Sequence, residues 1–293
     1  MNDLSNMTAL IAGGTSGIGR AVALALSNQG ADVIIIGRNQ AKGEAVVKAA
    51  QKRGTQRAEF IQADLSEMEQ VRQVAQRFLT SHKQLNILVH SVGVHHFQRT
   101  LTSDGIEYNF AANYLNKFLL TNLLLEPLRA SSPARLIVIG SPYVFDPKRF
   151  LTFHGLQGKN LLLPLWALLK AGMATSVWTV ALSRQLQGTG VTVNNVVPGI
   201  VRTDILRNDP AIVRAIDWML QPLVGMTPEQ AARTPLYLAT SDAVAEVTGQ
   251  FFKATRRGLK RTKVPTGTFD PEVAQRLWTF SDRLAEASSP SPH

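Results

Sequence analysis

The feature that most restricts this chain is a rhythm: short, almost unbroken apolar runs alternate with amphipathic stretches of helical period along nearly its whole length. Runs at Thr8–Ala12, Asp32–Gly37 (DVIIIG), Ala58–Ile61, Leu85–His90, Arg135–Gly140, Val191–Val197 and a last short one at Gln250–Lys253 read as strands. Between them the pattern predicts helices over about 17–29, 40–52, 67–80 and 104–125, and an apolar helix ending near Leu186. A strand that is apolar at every position buries both faces, so these strands belong to a sheet covered by helices on each side. The expectation is a doubly wound α/β domain with a seven-stranded, mostly parallel sheet.

Composition narrows the possibilities further. The 293 residues contain no cysteine, which removes disulfide frameworks, thiolate metal sites and thiol catalysis and favours a reducing, cytoplasmic setting. Any redox chemistry must come from a borrowed cofactor, and no metal-ligand spacing is present. The start, MNDLSNMTAL, has no basic segment followed by a long apolar one, and no uncharged stretch is long enough to span a bilayer, so neither secretion nor membrane spanning is expected. No Pro/Gly/Ser-rich linker precedes SSPSPH at the end; residues 1–287 read as one domain and 288–293 as a disordered tail. The net charge is +10, much of it local: Lys253, Arg256, Arg257, Lys260, Arg261 and Lys263 lie in a stretch without acids. No zinc-finger spacing, aromatic RNA-binding pattern or basic-region heptad accompanies them, so nucleic acid is not an expected partner. The run is expected to be a solvated loop near the mouth of a site, steering an anionic substrate or touching an acidic membrane surface.

Gly13-Gly14-Thr15-Ser16-Gly17-Ile18-Gly19 follows the first strand and opens the first helix, the context in which glycines let a pyrophosphate approach the backbone and helical N–H groups face it. A plain strand–helix turn would read the same. Further positions fall in order behind it: Asp64-Leu65 after the third strand, Ser91-Val92-Gly93 after the fourth, and Pro198-Gly199-x-Val201-x-Thr203 after the sixth. Over nearly its whole length the chain resembles the short-chain dehydrogenase/reductase family. Asn113-Tyr114-Leu115, Phe118-Leu119-Leu120-Thr121, Leu156-Gln157-Gly158 and Leu236-Tyr237-Leu238-Ala239 resemble its retinol-dehydrogenase-like branch.

The resemblance implies a Rossmann-type fold that binds a nicotinamide dinucleotide. Gly13, Thr15, Ser16, Gly17, Ile18 and Gly19 would form the phosphate loop, and Asp64 and Leu65 would meet the adenine. Ser91 and Gly93 would line the site, while Pro198, Gly199, Val201 and Thr203 would flank the nicotinamide. The second strand ends Gly37-Arg38-Asn39, with a cation where an NAD enzyme carries a carboxylate; Arg38, with Asn39 beside it and Arg20 nearby, points to the 2′-phosphate of NADP. The resemblance also implies helix-to-helix homodimers or homotetramers.

At the catalytic end the pattern breaks. The family uses a Tyr–Lys pair in Y-x-x-x-K to hold and give a proton, a Ser to polarise the carbonyl and an Asn to anchor a water. Asn113 and Ser141 match by position, but none of the four tyrosines begins a Y-x-x-x-K. One register keeps Lys170, with Trp166 in the tyrosine's place. The other agrees with the flanking motifs and puts Leu168 and Gly172 there. Keeping Lys170 would insert two residues inside the helix and rotate its remaining turns by roughly 200°, so the second register is favoured. Tyr143, two residues beyond Ser141, is the nearest alternative donor. His95, His96 and His154 read as surface residues on nearby loops.

Phe145, Phe150, Phe153 and the run Leu161–Leu169 supply an apolar wall suited equally to a lipophilic substrate or to a subunit interface. Two functions remain open on these grounds. One is an NADPH-dependent oxidoreductase acting on a lipophilic carbonyl, imine or enone with a non-standard proton donor: Tyr143, Ser141 through water, or the substrate itself. The other is an NADP-binding homologue without redox turnover, serving as an isomerase, cyclase or sensor.

Overall fold

The computed structural model describes residues 3–52, 57–96, 98–140, 147, 151, 164–202, 225–256, 258–264 and 267–287. The alternating pattern folds into one sheet of β1 (Thr8–Ala12), β2 (Asp32–Gly37), β3 (Ala58–Gln62), β4 (Ile87–His90), β5 (Ala134–Ile139), β6 (Val191–Val197), β7 (Phe251–Thr255) and β8 (Gly258–Thr262), in the order β3-β2-β1-β4-β5-β6-β7-β8. Every pairing from β3 to β7 is parallel. The chain runs outward from β1 through β2 to β3, then returns to β1's other edge with β4, so the winding reverses between β1 and β4. Loops leaving those two strands diverge and open a crevice at the strands' carboxyl ends.

Alternation along each strand feeds two cores. Leu10 and Ala12 of β1, with Ile34 and Ile36 of β2, face α3 (Met68–Ser81), α4 (residues 108–123), α6 (Pro164–Gln185) and α8 (Pro271–Ala287). Ala9, Ile11, Val33 and Ile35 face α1 (Gly17–Ser27), α2 (Gln40–Gln51) and α7 (Pro228–Thr240). A short α5 (Leu125–Ala130) follows α4. The helix expected from 104 begins later, because Gly105 turns the chain at φ 73° and Glu107, buried at the helix start, accepts the Phe110 N–H at 2.7 Å as the cap. Burial raises the Glu107 carboxyl above its ordinary range.

Two expectations are corrected. The sheet has eight strands among the described residues, not seven, because the basic run is not a loop: it folds back at Gly258 (φ 127°) into β8, antiparallel to β7. On this outer edge of the sheet Lys260 and Arg261 are exposed and discourage further strand pairing. An aromatic face of α4 is covered from within the chain. Phe118 packs on Trp278 with ring centroids 5.2 Å apart, Phe110 meets Phe280 at 6.3 Å, and the Tyr114 hydroxyl lies 2.7 Å from Ser281 Oγ, all from α8.

Ser281 Oγ already donates to the Leu277 carbonyl at 2.8 Å, so Tyr114 is the donor in their buried pair. Tyr114→Phe is expected to cost about 1 kcal/mol, whereas Ser281→Ala strands a buried hydroxyl and costs about 1–3 kcal/mol. Urea unfolding of both variants measures the asymmetry.

Candidate active site

Loops leaving the parallel strands β1 to β6 surround a cavity of about 690 Å³. Gly13, Thr15, Ser16, Gly17 and Ile18 form its floor, followed by Arg38 and Asn39 after β2, Asp64 and Leu65 after β3, Ser91 and Gly93 after β4, Gly140 after β5, and Pro198, Gly199 and Val201 after β6. Sequence reasoning named nearly all of these. Gly19 does not line the cavity; it packs beneath it. A β-carbon there would stand 2.3 Å from the Gly13 carbonyl oxygen and 3.0 Å from Ser91 Cβ, so only glycine lets α1 start so close to β4's loop. Gly13 itself has φ 85°, and a side chain on it would meet Val92 N at 2.9 Å. The Ser16 side chain makes no cap at the start of α1, and the first turn carries no acid, so the helix-terminal N–H groups are left for a ligand. This cradle fits the pyrophosphate of a dinucleotide.

At the β2 end, Arg38 Nη1 donates to the Tyr108 hydroxyl at 2.7 Å and lies 3.5 Å from Asp64 Oδ2. Gln62 Nε2 holds the Arg38 carbonyl at 3.0 Å, and Asn39 Oδ1 caps α2 by accepting from Lys42 N at 2.9 Å. Lys42 also lines the cavity, a second cation that the sequence reading passed over because it looked like an ordinary surface helix residue. The guanidinium is thus held in place and its remaining donors face the cavity rim, a charge pattern suited to a phosphate on the adenosine ribose.

The opposite end is organised by α4. Asn109 and Asn113, one turn apart on one face, clamp the loop after β4. Asn109 accepts from His96 N at 2.8 Å and donates to the His96 carbonyl at 3.0 Å. Asn113 accepts from Val94 N at 2.9 Å and donates to the Val94 carbonyl at 2.9 Å. Asn113 stands in a π-helical turn, Ala111–Leu115, of the kind that recurs at functional sites. Both of its amide N–H groups are taken, by the Val94 and Asn109 carbonyls, so it has no amide donor left for the cavity. The Pro198–Val201 loop is held from the other side: Met226 N donates to the Ile200 carbonyl at 2.9 Å, and Arg202 N to the Met226 carbonyl at 3.0 Å. Thr227 and Gln230 form the capping box that starts α7 just beyond.

Of the catalytic candidates, Asn113 lines the cavity and Lys170 does not. The cavity face of α6 is Leu168, Gly172 and Thr175, which matches the register without a Tyr–Lys pair. Lys170 is half-buried off that face, and burial lowers its pKa. Ser141, Tyr143 and Thr203 lie outside the described residues, as do His154, Phe145, Phe150, Phe153 and the tail 288–293. His95 lines the cavity, whereas His96 belongs to the clamp.

Lys117 was missed altogether. It lies one turn beyond Asn113, is only 2% exposed, lines the cavity, and donates from Nζ to the Ile139 carbonyl at 3.3 Å. Burial brings its ammonium down to about 7. The available signal was a lysine at i+4 from Asn113, the one charged residue between Asn113 and Leu125.

Residues 7–153 match the family described as short chain dehydrogenase. Retinol dehydrogenase 13 of Homo sapiens is 33% identical over 97% of this chain and 86% of its own length. Retinol dehydrogenase 12 of Mus musculus is 34% identical over 94% and 85%. The crystal structure of a short chain dehydrogenase from Burkholderia cenocepacia J2315 in complex with NADP superposes with a TM-score of 0.68 at 25% identity, covering 87% of this chain and 98% of that one. No described helix is long and apolar enough to cross a membrane, and no described group of His, Asp and Glu could hold a metal ion.

Gly19→Ala is expected to force the phosphate loop away from β4, at a cost of about 1–3 kcal/mol in stability. NADPH binding, followed by cofactor fluorescence, should weaken at least tenfold, on the order expected when backbone donors lose alignment.

Proposed function

The chain belongs to the short chain dehydrogenase family of oxidoreductases, and we propose that it is an NADPH-dependent reductase of a lipophilic carbonyl, imine or enone that works without the family's usual Tyr–Lys pair. The observation that carries this reading is the cavity itself: a glycine cradle at the start of α1, cations at the end of β2, and an apolar catalytic wall from Leu168 and Gly172. The names of the retinol dehydrogenases it is similar to support a lipophilic substrate. The NADP complex of a relative supports the cofactor.

In this reading the start of α1 and Gly13–Ile18 hold the pyrophosphate, Asp64 and Leu65 bound the adenine, and Arg38 with Lys42 receives the 2′-phosphate. Pro198, Gly199 and Val201 bound the nicotinamide ring. NADPH, when bound, supplies a hydride. The protein's share is orientation and exclusion of water, done by the Asn109 and Asn113 clamp and the apolar face of α6. Ser141, next in sequence after Gly140, is assigned the polarising of the carbonyl oxygen by the family resemblance.

A second reading draws on Leu168 and Gly172 facing the cavity, two side chains that cannot hold a proton. It makes the protein an NADP-binding isomerase, cyclase or sensor. Loss of nicotinamide absorbance when NADPH and the protein meet retinal or a medium-chain aldehyde separates the two: the reductase reading requires turnover, and tight NADPH binding without it favours the second.

Arg38→Ala is expected to remove about 1.5–3 kcal/mol of NADPH binding, roughly tenfold to a hundredfold in Kd, and to leave NADH binding nearly unchanged. Fluorescence titration with each cofactor checks it; equal affinities in the unmodified protein would reject the phosphate assignment.

The β7–β8 hairpin is proposed to touch an acidic membrane surface. Lys253 and Lys260 are exposed directly opposite each other across it, a repulsion that anionic headgroups relieve. Replacing both with Gln is expected to lower binding to phosphatidylserine vesicles and flatten its salt dependence without lowering the melting temperature.

A further inference from the structure

Lys117 is a cation in a place where a cation is costly. It is 2% exposed, sits on α4 between Asn116 and Phe118, and has no carboxylate within ion-pair distance among the described residues. A buried lysine without a counter-charge works against folding unless something retains it. Its one hydrogen bond, to the Ile139 carbonyl at 3.3 Å, occupies one of three ammonium N–H groups. The others belong to a side chain that lines the cavity with Asn113, Gly140, Gly172 and Thr175.

Ile139 closes β5 and lines the cavity together with Gly140, so the ammonium is anchored at the strand end that opens into the site. Across the same cavity, α6 presents Leu168 and Gly172, which carry no proton.

We propose that Lys117 is the catalytic proton donor of this site, supplied from α4 in place of the pair that α6 lacks. The inference rests on the reductase reading above. Reduction of a carbonyl consumes one hydride and one proton: the hydride from NADPH forms the new C–H bond, the C=O electron pair moves to oxygen, and Nζ gives that oxygen its proton. The product is an alcohol, and the neutral amine regains a proton from water. Burial brings the ammonium down to about 7, near the pH at which a group both holds and gives a proton effectively.

The groups facing it are few. From β4 comes His90, fully buried, 2.8 Å from Thr121 Oγ1, and held neutral by burial and by Lys117 itself, down to about 3. From β5 comes the Ile139 carbonyl. On α6 the neighbouring polar group is Thr175, and α3 turns apolar residues toward α4. His95 also lines the cavity, from the loop after β4, so the limb is assigned to Lys117 by its loss in Lys117→Met. Reduction should be fastest with the ammonium charged and fall as pH rises through about 7, and alcohol oxidation should show the opposite limb. Because the folded protein binds fewer protons here than the unfolded chain below the usual lysine range, stability should rise with pH above about 7.

The test compares the full chain with Lys117→Met, Lys117→Arg and Tyr143→Phe. NADPH oxidation is followed with nonanal as the carbonyl probe, beside NMR of isotope-labelled lysine Cε. The Lys117 signal is assigned by its absence from Lys117→Met. Lys117→Met should lower kcat/KM at least about 100-fold and lose the limb near 7, while NADPH affinity and melting temperature are kept. Lys117→Arg keeps charge and a donor but gives up no proton at this pH, so it should not restore the rate; a purely structural lysine would be rescued by it. The Lys117 signal should titrate at lower pH with NADP⁺ bound than with NADPH, since the oxidised ring carries a positive charge.

A wild-type rate and pH profile in Lys117→Met, or transfer of the limb's loss to Tyr143→Phe, overturns the proposal and leaves the reductase reading standing. If the unmodified protein oxidises no NADPH with nonanal or retinal, it is that reading which fails. The NMR comparison then decides Lys117 alone: a signal indifferent to the nicotinamide's redox state overturns it.

Discussion

Everything at this site depends on β1 being flanked in parallel by β2 and β4. Ala12 is level with Ile36 on one side and His90 on the other, so three strands end together and three loops leave from one line. The reversal of winding at that point is what opens a cavity where the sheet would otherwise be roofed by a crossover. The same register brings Gly13, Gly19 and Ser91 so close that side chains cannot be accommodated at either glycine. Sheet pairing and cofactor cradle are thus one constraint, and the phosphate loop's rigidity is inherited from the core.

The two ends of the cavity are built on different physics. At the β2 end, charge is presented near solvent: Arg38 is tethered by Tyr108 and Asp64 without being buried, so it remains available to an anion while losing little entropy on binding one. At the α4 end, polar groups are buried, and those nearest the loop after β4 are held by hydrogen bonds. Asn109 and Asn113 spend their amides on the backbone of residues 94 and 96, turning a loop into a fixed wall. Lys117 stands out against that economy because most of its donor capacity is spent on nothing else in the described structure. A desolvated ammonium without a counter-charge at a cavity is a candidate functional group on physical grounds, since burial alone does not favour it.

α8 adds a further constraint. By laying Trp278, Phe280 and Ser281 on α4, it encloses the helix that carries Asn113 and Lys117 and keeps water away from its back. The lowered proton affinity of Lys117 follows from its own burial against the end of β5 rather than from any neighbouring positive charge.

Hydrophobic period and turn chemistry act over a few residues, and the features that depend on them were legible in the sequence: the strand–helix alternation, the glycine cradle, Arg38 at the end of β2, and the register that puts Leu168 and Gly172 rather than Lys170 on the cavity face of α6. The eighth strand was not, because Gly258–Thr262 is polar and exposed and becomes a strand only by pairing with β7. Nor was the role of α8, whose amphipathic pattern marks an apolar face without saying what it covers. Lys117 was the hardest to see: a single lysine among asparagines and leucines reads as a surface residue until β5 and the cavity wall close around it. Its burial, its bond to Ile139 and its place in the cavity are contacts between segments far apart in the chain, and only the tertiary structure decides those.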